Sequence, residues 1–201
     1  MQKMATARTL NANLSHFNLL QRMDPPFVQC PCQKETSTVN DHPLHVIRAD
    51  YHDPEHARAI AYLLDHYSRD AMGGGEPLPG HVLESLPNEL AKRPHAYSVL
   101  AFDGEAPVGL VNCFEGFSTF ACRPLVNVHD VVVLDTHRGR GVSQRMLAEA
   151  ESIARERGCC KMTLEVLEGN EPARKAYRKL GYDSYELDPE MGKAMFWQKV
   201  L

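Results

Sequence analysis

The stretch from Val126 to Leu147 constrains this chain more than any other. It opens with a β-branched run, Val126 to Leu134, which reads as a buried strand. A short turn rich in glycine and arginine follows, Arg138-Gly139-Arg140-Gly141. Val142, Met146, Leu147, Ala150, Ile153 and Ala154 then recur at helical spacing, and Gly158 marks a stop. A strand, a tight Gly/Arg turn and a helix make a phosphate-binding arrangement. The first amides of a helix have no partner inside it, and they carry the positive end of its dipole. Gly139 and Gly141 let the backbone approach a ligand at angles closed to other residues. Arg138 and Arg140 add formal positive charge. An ordinary strand–turn–helix connection is the bland alternative.

Two motifs decide against that alternative. Arg138-Gly139-Arg140-Gly141-Val142-Ser143 resembles the acyl-CoA pyrophosphate loop of the GNAT superfamily of N-acyltransferases, Arg/Gln-x-x-Gly-x-Gly/Ala. Downstream, Asn170 to Tyr182 is similar to that family's second signature, Asn-x-x-Ala-x-x-x-Tyr-x-x-x-Gly-Phe/Tyr. A helix and a strand separate them, and the pair is far more specific than either alone. The resemblance is clear from about Ala96 to the C-terminus, weaker from His45 to Pro94, and absent from the first 43 residues. Ser143 stands where the family prefers Gly or Ala. Its side chain either crowds a phosphate or donates to it.

The resemblance implies acetyl-CoA as acyl donor, with the backbone of residues 138–143 cradling its diphosphate. It implies a central strand splayed from its neighbour, with the backbone of Val131, Val132 and Val133 pairing with the pantetheine arm and polarising the acyl carbonyl. Tyr177 falls where the family places the acid that protonates the departing thiolate. A phenol titrating near 10 suits a thiol of about 8.5–10. The alternative for Tyr177 is a core tyrosine at helical spacing with Ala173 and Leu180. Asn170 caps its helix, contacts the cofactor, or does both. Family members are often dimers, so a homodimer is implied by analogy.

Along the chain, residues 1–43 read as an N-terminal extension and 44–201 as the transferase domain. Residues 1–23 hold Lys3, Arg8 and Arg22 and no acidic residue, a composition faintly like an organelle transit peptide. A loosely packed or disordered extension is the simpler reading. Asp24-Pro25-Pro26 and Cys30-Pro31-Cys32 break any helix beginning near Leu10. The domain opens with a strand from His45 to Ala49. Asp53 and Pro54 start a helix striped by Ile60, Ala61, Leu64 and Tyr67. Gly73-Gly74-Gly75 ends it in a loop, and Val82, Leu83, Leu86 and Leu90 give a second helical segment interrupted or restarted at Pro87. Ala96 to Phe102 and Val108 to Phe114 form a hairpin turned at Asp103-Gly104. A loop from Gly116 to Pro124 leads to the central strand. Cys160 to Leu167 alternates as a strand, Glu171 to Leu180 is a helix with Asn170 as cap, and Tyr182–Leu187 with Ala194–Val200 read as a closing antiparallel pair. The fold class is α/β: a GNAT-like mixed, mostly antiparallel single sheet with helices on both faces.

The alternation of the central strand breaks at His129-Asp130, where a β-bulge would re-aim its residues. An aliphatic ammonium titrates near 10.4, so transfer to an amine needs a base. His129 stands where many family members carry a glutamate and is one candidate, acting directly or through water. Asp130 is the alternative base, or it orients a neighbour; a structural His-Asp pair on a strand edge is the plain reading. Acceptor contacts are expected from Met72–Pro77 and Glu115–Arg123. There Phe114, Phe117 and Phe120 would wall a pocket and Glu76 and Glu115 would hold an ammonium. Phe117 to Phe120, with Pro124 and His129-Asp130, is similar to the diamine acetyltransferase-like members.

Bulk properties narrow the class. A net charge of −4 and a pI near 6.2 do not suggest a nucleic-acid binder. No apolar run is long enough to span a bilayer. Cys30, Cys32, Cys113, Cys122, Cys159 and Cys160 make no secretory disulfide framework, so a reducing, cytoplasmic setting is expected, with organelle import through residues 1–23 as a minor alternative. Cys30 and Cys32 with His42 and His45 match no common zinc spacing, and no metal is expected. The leading expectation is an acetyl-CoA-dependent N-acetyltransferase acting on a small-molecule primary amine by direct attack in a ternary complex. Its rivals are a protein or peptide N-acetyltransferase and a non-catalytic acyl-CoA-binding sensor.

Overall fold

The computed structural model describes residues 43–186, 188, 190 and 192–201, within the unit Asn40–Leu201. Apart from Pro43, the N-terminal extension lies outside the described residues, and with it Cys30, Cys32 and His42. The elements in chain order are β1 (Leu44–Arg48), α1 (Pro54–Ser68), α2 (Gly80–Ala91), β2 (Ala96–Asp103), β3 (Ala106–Ser118), β4 (Arg123–Val133), α3 (Val142–Glu156), β5 (Met162–Leu164) and α4 (Glu171–Lys179). A 3-10 turn, Asp135–His137, leads into the approach to α3. The strands lie side by side in sequence order, with β1 to β4 antiparallel and β5 parallel to β4.

Local chemistry sets the helix starts. Asp53 caps α1 by accepting from the amides of Glu55 and His56, with Pro54 in the first turn. Asn170 does the same for α4, with Pro172 behind it. α2 runs through Pro87 unbroken, contrary to the interruption expected there. The Pro87 ring is buried, and its packing offsets the backbone bond it cannot make.

Alternate side chains of the sheet feed two cores. On one face Val99, Val111, Val126 and Val128 pack with Val142, Met146, Leu147, Ala150 and Ile153 of α3, joined by Tyr177 and Leu180 of α4. On the other, Leu100, Leu110 and Val132 pack with Ile60 and Leu63 of α1 and Leu90 of α2. Helices therefore cover both faces of one sheet. No described helix is long and apolar enough to cross a membrane.

Three expectations are corrected. The stretch from Gly116 to Pro124 is not a loop: β3 runs on to Ser118 and β4 starts at Arg123, paired residue for residue. Phe117↔Pro124 and Ser118↔Arg123 leave a short turn in which Cys122 adopts φ 49. β5 is three residues long, not eight. Its pairing with β4 ends at Val128↔Leu164, immediately before the residue at which β4 bulges away. Among the described residues the closing pair reduces to one bridge, Glu186↔Lys193, and Met195, Phe196 and Trp197 are exposed. Residues 193–201 are exposed throughout, so burial gives them no drive to lengthen the ladder.

α3 lies hard against the sheet at Gly109. A β-carbon there would stand 2.7 Å from Met146 Cε and 3.1 Å from Val142 Cγ1. Gly109→Ala should overpack this contact at a cost of about 1–3 kcal/mol. Urea unfolding should show the lowered midpoint; an unchanged midpoint would mean that the helix is free to withdraw.

Candidate active site

β4 holds one more residue than its partner β3 can match. Asn112 pairs with Asp130 and Cys113 with Val128, so His129 is the extra residue of a bulge. In a regular strand His129 and Asp130 would point to opposite faces. Across the bulge both reach the α1/α2 face. The Asp130 carboxylate accepts from Asn112 Nδ2 at 2.9 Å. The His129 ring stands edge-on to Phe114, centroids 5.5 Å apart.

Beyond the bulge, β4 has β3 on one side and no strand on the other among the described residues. The Leu134 amide donates to Val108 O at 3.0 Å, and Val132 sits opposite Leu110. Alternation then turns the Val132 amide into β3 and those of Val131 and Val133 into the fork between β4 and β5. Of the three residues expected to face a donor arm, Val132 is therefore committed to the sheet. Val133 O is also engaged, by Arg138 Nε at 3.2 Å.

The loop at the mouth of the fork has the expected backbone. Gly139 and Gly141 adopt φ 77 and φ 79, and Gly141 is the N-cap of α3 with no side-chain acceptor. The first-turn amides of Val142 and Ser143 have no partner within the helix and present an anion site. A β-carbon at Gly139 would meet nothing within 4 Å, so the space over the loop is open. The arginines divide their duties. Arg138 does not offer a free charge: Nη2 is 2.9 Å from both Asp70 Oδ2 and Asp135 Oδ1. The Met72 amide and this guanidinium hold the Asp70 carboxyl below the usual carboxylate range. Arg140 is 3.8 Å from Asp103 Oδ2 and half-exposed, and it remains available to an anion. The Ser143 hydroxyl turns aside to Gln144 Oε1 at 3.3 Å.

Tyr177 packs against the α3-side core, with its ring 6.0 Å from Tyr182. Burial pushes its phenol up to about 12. The Tyr67 phenol, on the opposite face, lies within electrostatic reach of both Tyr177 and Asp130. Asn170 is used as a cap, its Oδ1 accepting from the Ala173 amide at 3.2 Å.

The expected acceptor residues are only partly brought together. Phe114 is half-buried beside His129, but Phe117 and Phe120 are 59% and 104% exposed on the β3–β4 hairpin and wall nothing. Glu115 is 3.4 Å from Arg157, and Glu76 is exposed. Sequence reasoning passed over Glu165, which accepts from Asn127 Nδ2 at 3.1 Å beside the fork. It also passed over Asn112 and Ser98, both buried, and took Tyr67 only as part of an apolar stripe. A polar residue inside an apolar strand, Val108 to Phe114 or Ala96 to Phe102, was the available signal for Asn112 and Ser98. Among the described residues no group of three or more His, Cys, Asp or Glu could hold a metal.

The sequence model described as the acetyltransferase (GNAT) family matches residues 42–182. Streptothricin acetyltransferase of Streptomyces lavendulae is 36% identical over 75 residues, 37% of this chain and 40% of that protein. The match thus spans less than half of that relative's length. Solved structures share the fold. A probable acetyltransferase has TM-score 0.63 at 21% identity, covering 78% of this chain and 99% of its own. AAC(6')-Iy, solved with the bisubstrate analog CoA-S-monomethyl-acetylneamine, has TM-score 0.62 at 17% identity, covering 79% and 99%.

The Tyr177 phenol ionises at about 12 in the fold and near 10 in an unfolded chain, so folding favours its neutral form. That stability is fully present below about pH 10 and is lost as pH rises through the folded value. Ultraviolet titration of tyrosinate should show Tyr177→Phe removing one late ionisation while that of Tyr182, also near 12, persists. Loss of an ordinary ionisation instead would place Tyr177 in solvent.

Proposed function

The chain belongs to the acetyltransferase (GNAT) family, and on that premise we propose that it transfers an acetyl group from acetyl-CoA to a primary amine of a small molecule, by direct attack in a ternary complex. One observation carries the reading. The unpaired edge of β4 runs from the glycine loop at the α3 N-terminus to the bulge that presents His129 and Asp130. A donor held at one end is thereby in line with a base and a carboxylate at the other.

The residues fit an acyl-CoA donor. The uncapped amides of Val142 and Ser143, with Arg140, suit a diphosphate. The Val131 amide, free in the fork, suits a thioester carbonyl whose oxygen gains charge on attack. On the acceptor side, the Asp130 carboxylate attracts the ammonium. Proton transfer from an alkylammonium costs about 5 kcal/mol to an ordinary imidazole and about 9 kcal/mol to an ordinary carboxylate. This difference favours His129 as the proton acceptor and Asp130 as the anchor. Tyr177 remains neutral across the working range, so its phenol is available to protonate the departing thiolate of the donor.

The names of the similar proteins, a streptothricin acetyltransferase and an AAC(6') enzyme bound to an acetylneamine analog, support a small amine. Two carboxylates near the fork, Asp130 and Glu165, suit an acceptor with more than one cationic group. A peptide or protein amine is the second reading, favoured by the absence of the aromatic wall that Phe117 and Phe120 were expected to build.

Thiol release from acetyl-CoA should occur only with an acceptor present, and polyamine-like small molecules should exceed peptides with free N-termini. Binding of acetyl-CoA without turnover over the whole panel would leave a sensor. Tyr177→Phe should lower kcat by about 10²-fold or more with little change in donor binding. Gly141→Val, forced to φ near +79, should weaken CoA binding in calorimetry by at least about tenfold. Unchanged affinity would remove the loop from the donor site.

A further inference from the structure

A line of buried polar side chains ends on Asp130. Tyr51 OH lies 2.9 Å from Ser98 Oγ, Ser98 Oγ lies 2.6 Å from Asn112 Oδ1, and Asn112 Nδ2 lies 2.9 Å from Asp130 Oδ2. Ser98 and Asn112 are 1% and 3% exposed, on neighbouring antiparallel strands and paired directly in register. The direction of each bond follows from what each group can do. A carboxylate only accepts, so the amide presents its Nδ2 to Asp130 and its Oδ1 to Ser98. Ser98 has a single proton, and it goes to Asn112. The Tyr51 phenol must then donate to Ser98, and burial, which pushes that phenol up, keeps the proton there.

Nothing in the cores requires these groups. Two polar side chains in the middle of apolar strands are costly unless fully bonded, and an apolar pair would serve packing as well. Among the described residues their side-chain bonds lead to Asp130. They fix one of its oxygens; Oδ1 has no hydrogen-bond partner among the described residues and is open to an incoming group. The amide cannot rotate to suit another partner while Ser98 holds its oxygen.

We propose that Tyr51, Ser98 and Asn112 are positioning residues that hold the Asp130 carboxylate in the orientation that receives the acceptor's ammonium. None of the three touches the acceptor. The inference rests on the transfer reading above and goes beyond it in assigning these residues an indirect role in acceptor affinity.

Steady-state kinetics with the best amine of the panel tests this through a double-mutant cycle. Ser98→Ala should raise KM for the amine about tenfold and leave KM for acetyl-CoA unchanged. Tyr51→Phe, a milder change, should move the same constant in the same direction by a smaller factor. In an Asp130→Ala background neither substitution should have a further effect on amine KM, because the group they orient is gone. The proposal is overturned if either substitution multiplies the Asp130→Ala defect, if both are indistinguishable from wild type, or if the KM for acetyl-CoA rises equally. Failure of wild type itself to release thiol with any amine would remove the transfer reading and this inference together. An active wild type with an additive cycle would remove only the inference.

Discussion

Among the described residues strand β4 is laddered on both edges only from Val126 to Val128, with one further bond from the Cys160 amide to Pro124 O, and on the proposed reading donor and acceptor are arranged around the remainder. Backbone amides left without partners are costly unless water or a ligand takes them. The single extra residue at His129 creates this state. It falls where the pairing with β5 ends, and it restarts the alternation so that the Val131 amide faces the gap. On the proposed reading, the amide-bearing arm of acetyl-CoA completes the ladder that β5 leaves unfinished. This is recognition by strand addition inside a sheet rather than at its rim.

The gap is useful only if an anion site stands at a fixed distance from it, and that depends on α3. The helix is seated on β3 where Gly109 leaves room for Met146 and Val142, and the Tyr97 hydroxyl donates to Ala150 O at 2.9 Å farther along. Its N-terminus is left uncapped. A side-chain cap would stabilise the helix but would occupy the amides a phosphate needs. Arg138 ties the same loop to Asp70, which in turn accepts from the Met72 amide. The glycine loop and the loop after α1 are therefore clasped by one guanidinium.

What could be read from the sequence was local. Asp53 with Pro54, Asn170 with Pro172, the paired glycines at 139 and 141 and the broken alternation at His129-Asp130 each act on backbone within a few residues, and each is found where its chemistry places it. What could not be read was long-range. Periodicity shows that Gly116 to Pro124 contains turn formers, but not that β3 and β4 continue pairing through them. It shows an apolar alternating tail at Ala194 to Val200, but not that this tail stays exposed. The ion pairs of Arg138 were legible only in part: Asp135 is three positions before it, but Asp70 is 68 positions away. Asn112 and Ser98 were hidden for the same reason: a polar residue in a strand gains its meaning only from the strand beside it.

On the proposed reading, the bulge also explains how two chemically different groups share one proton problem. In a regular strand, adjacent residues cannot both face an acceptor. A carboxylate alone attracts an ammonium but takes its proton poorly; an imidazole alone takes the proton but, when neutral, attracts the cation weakly. Placing His129 and Asp130 on one face separates attraction from abstraction. Their support is unequal: Asp130 accepts from Asn112 at the end of a line of polar side chains, whereas the exposed His129 ring stands edge-on to Phe114 and makes no side-chain hydrogen bond among the described residues. An anchor must be rigid to select a position, while a proton acceptor must be able to turn toward solvent to discharge. The difference in packing between these two neighbours follows that difference in task.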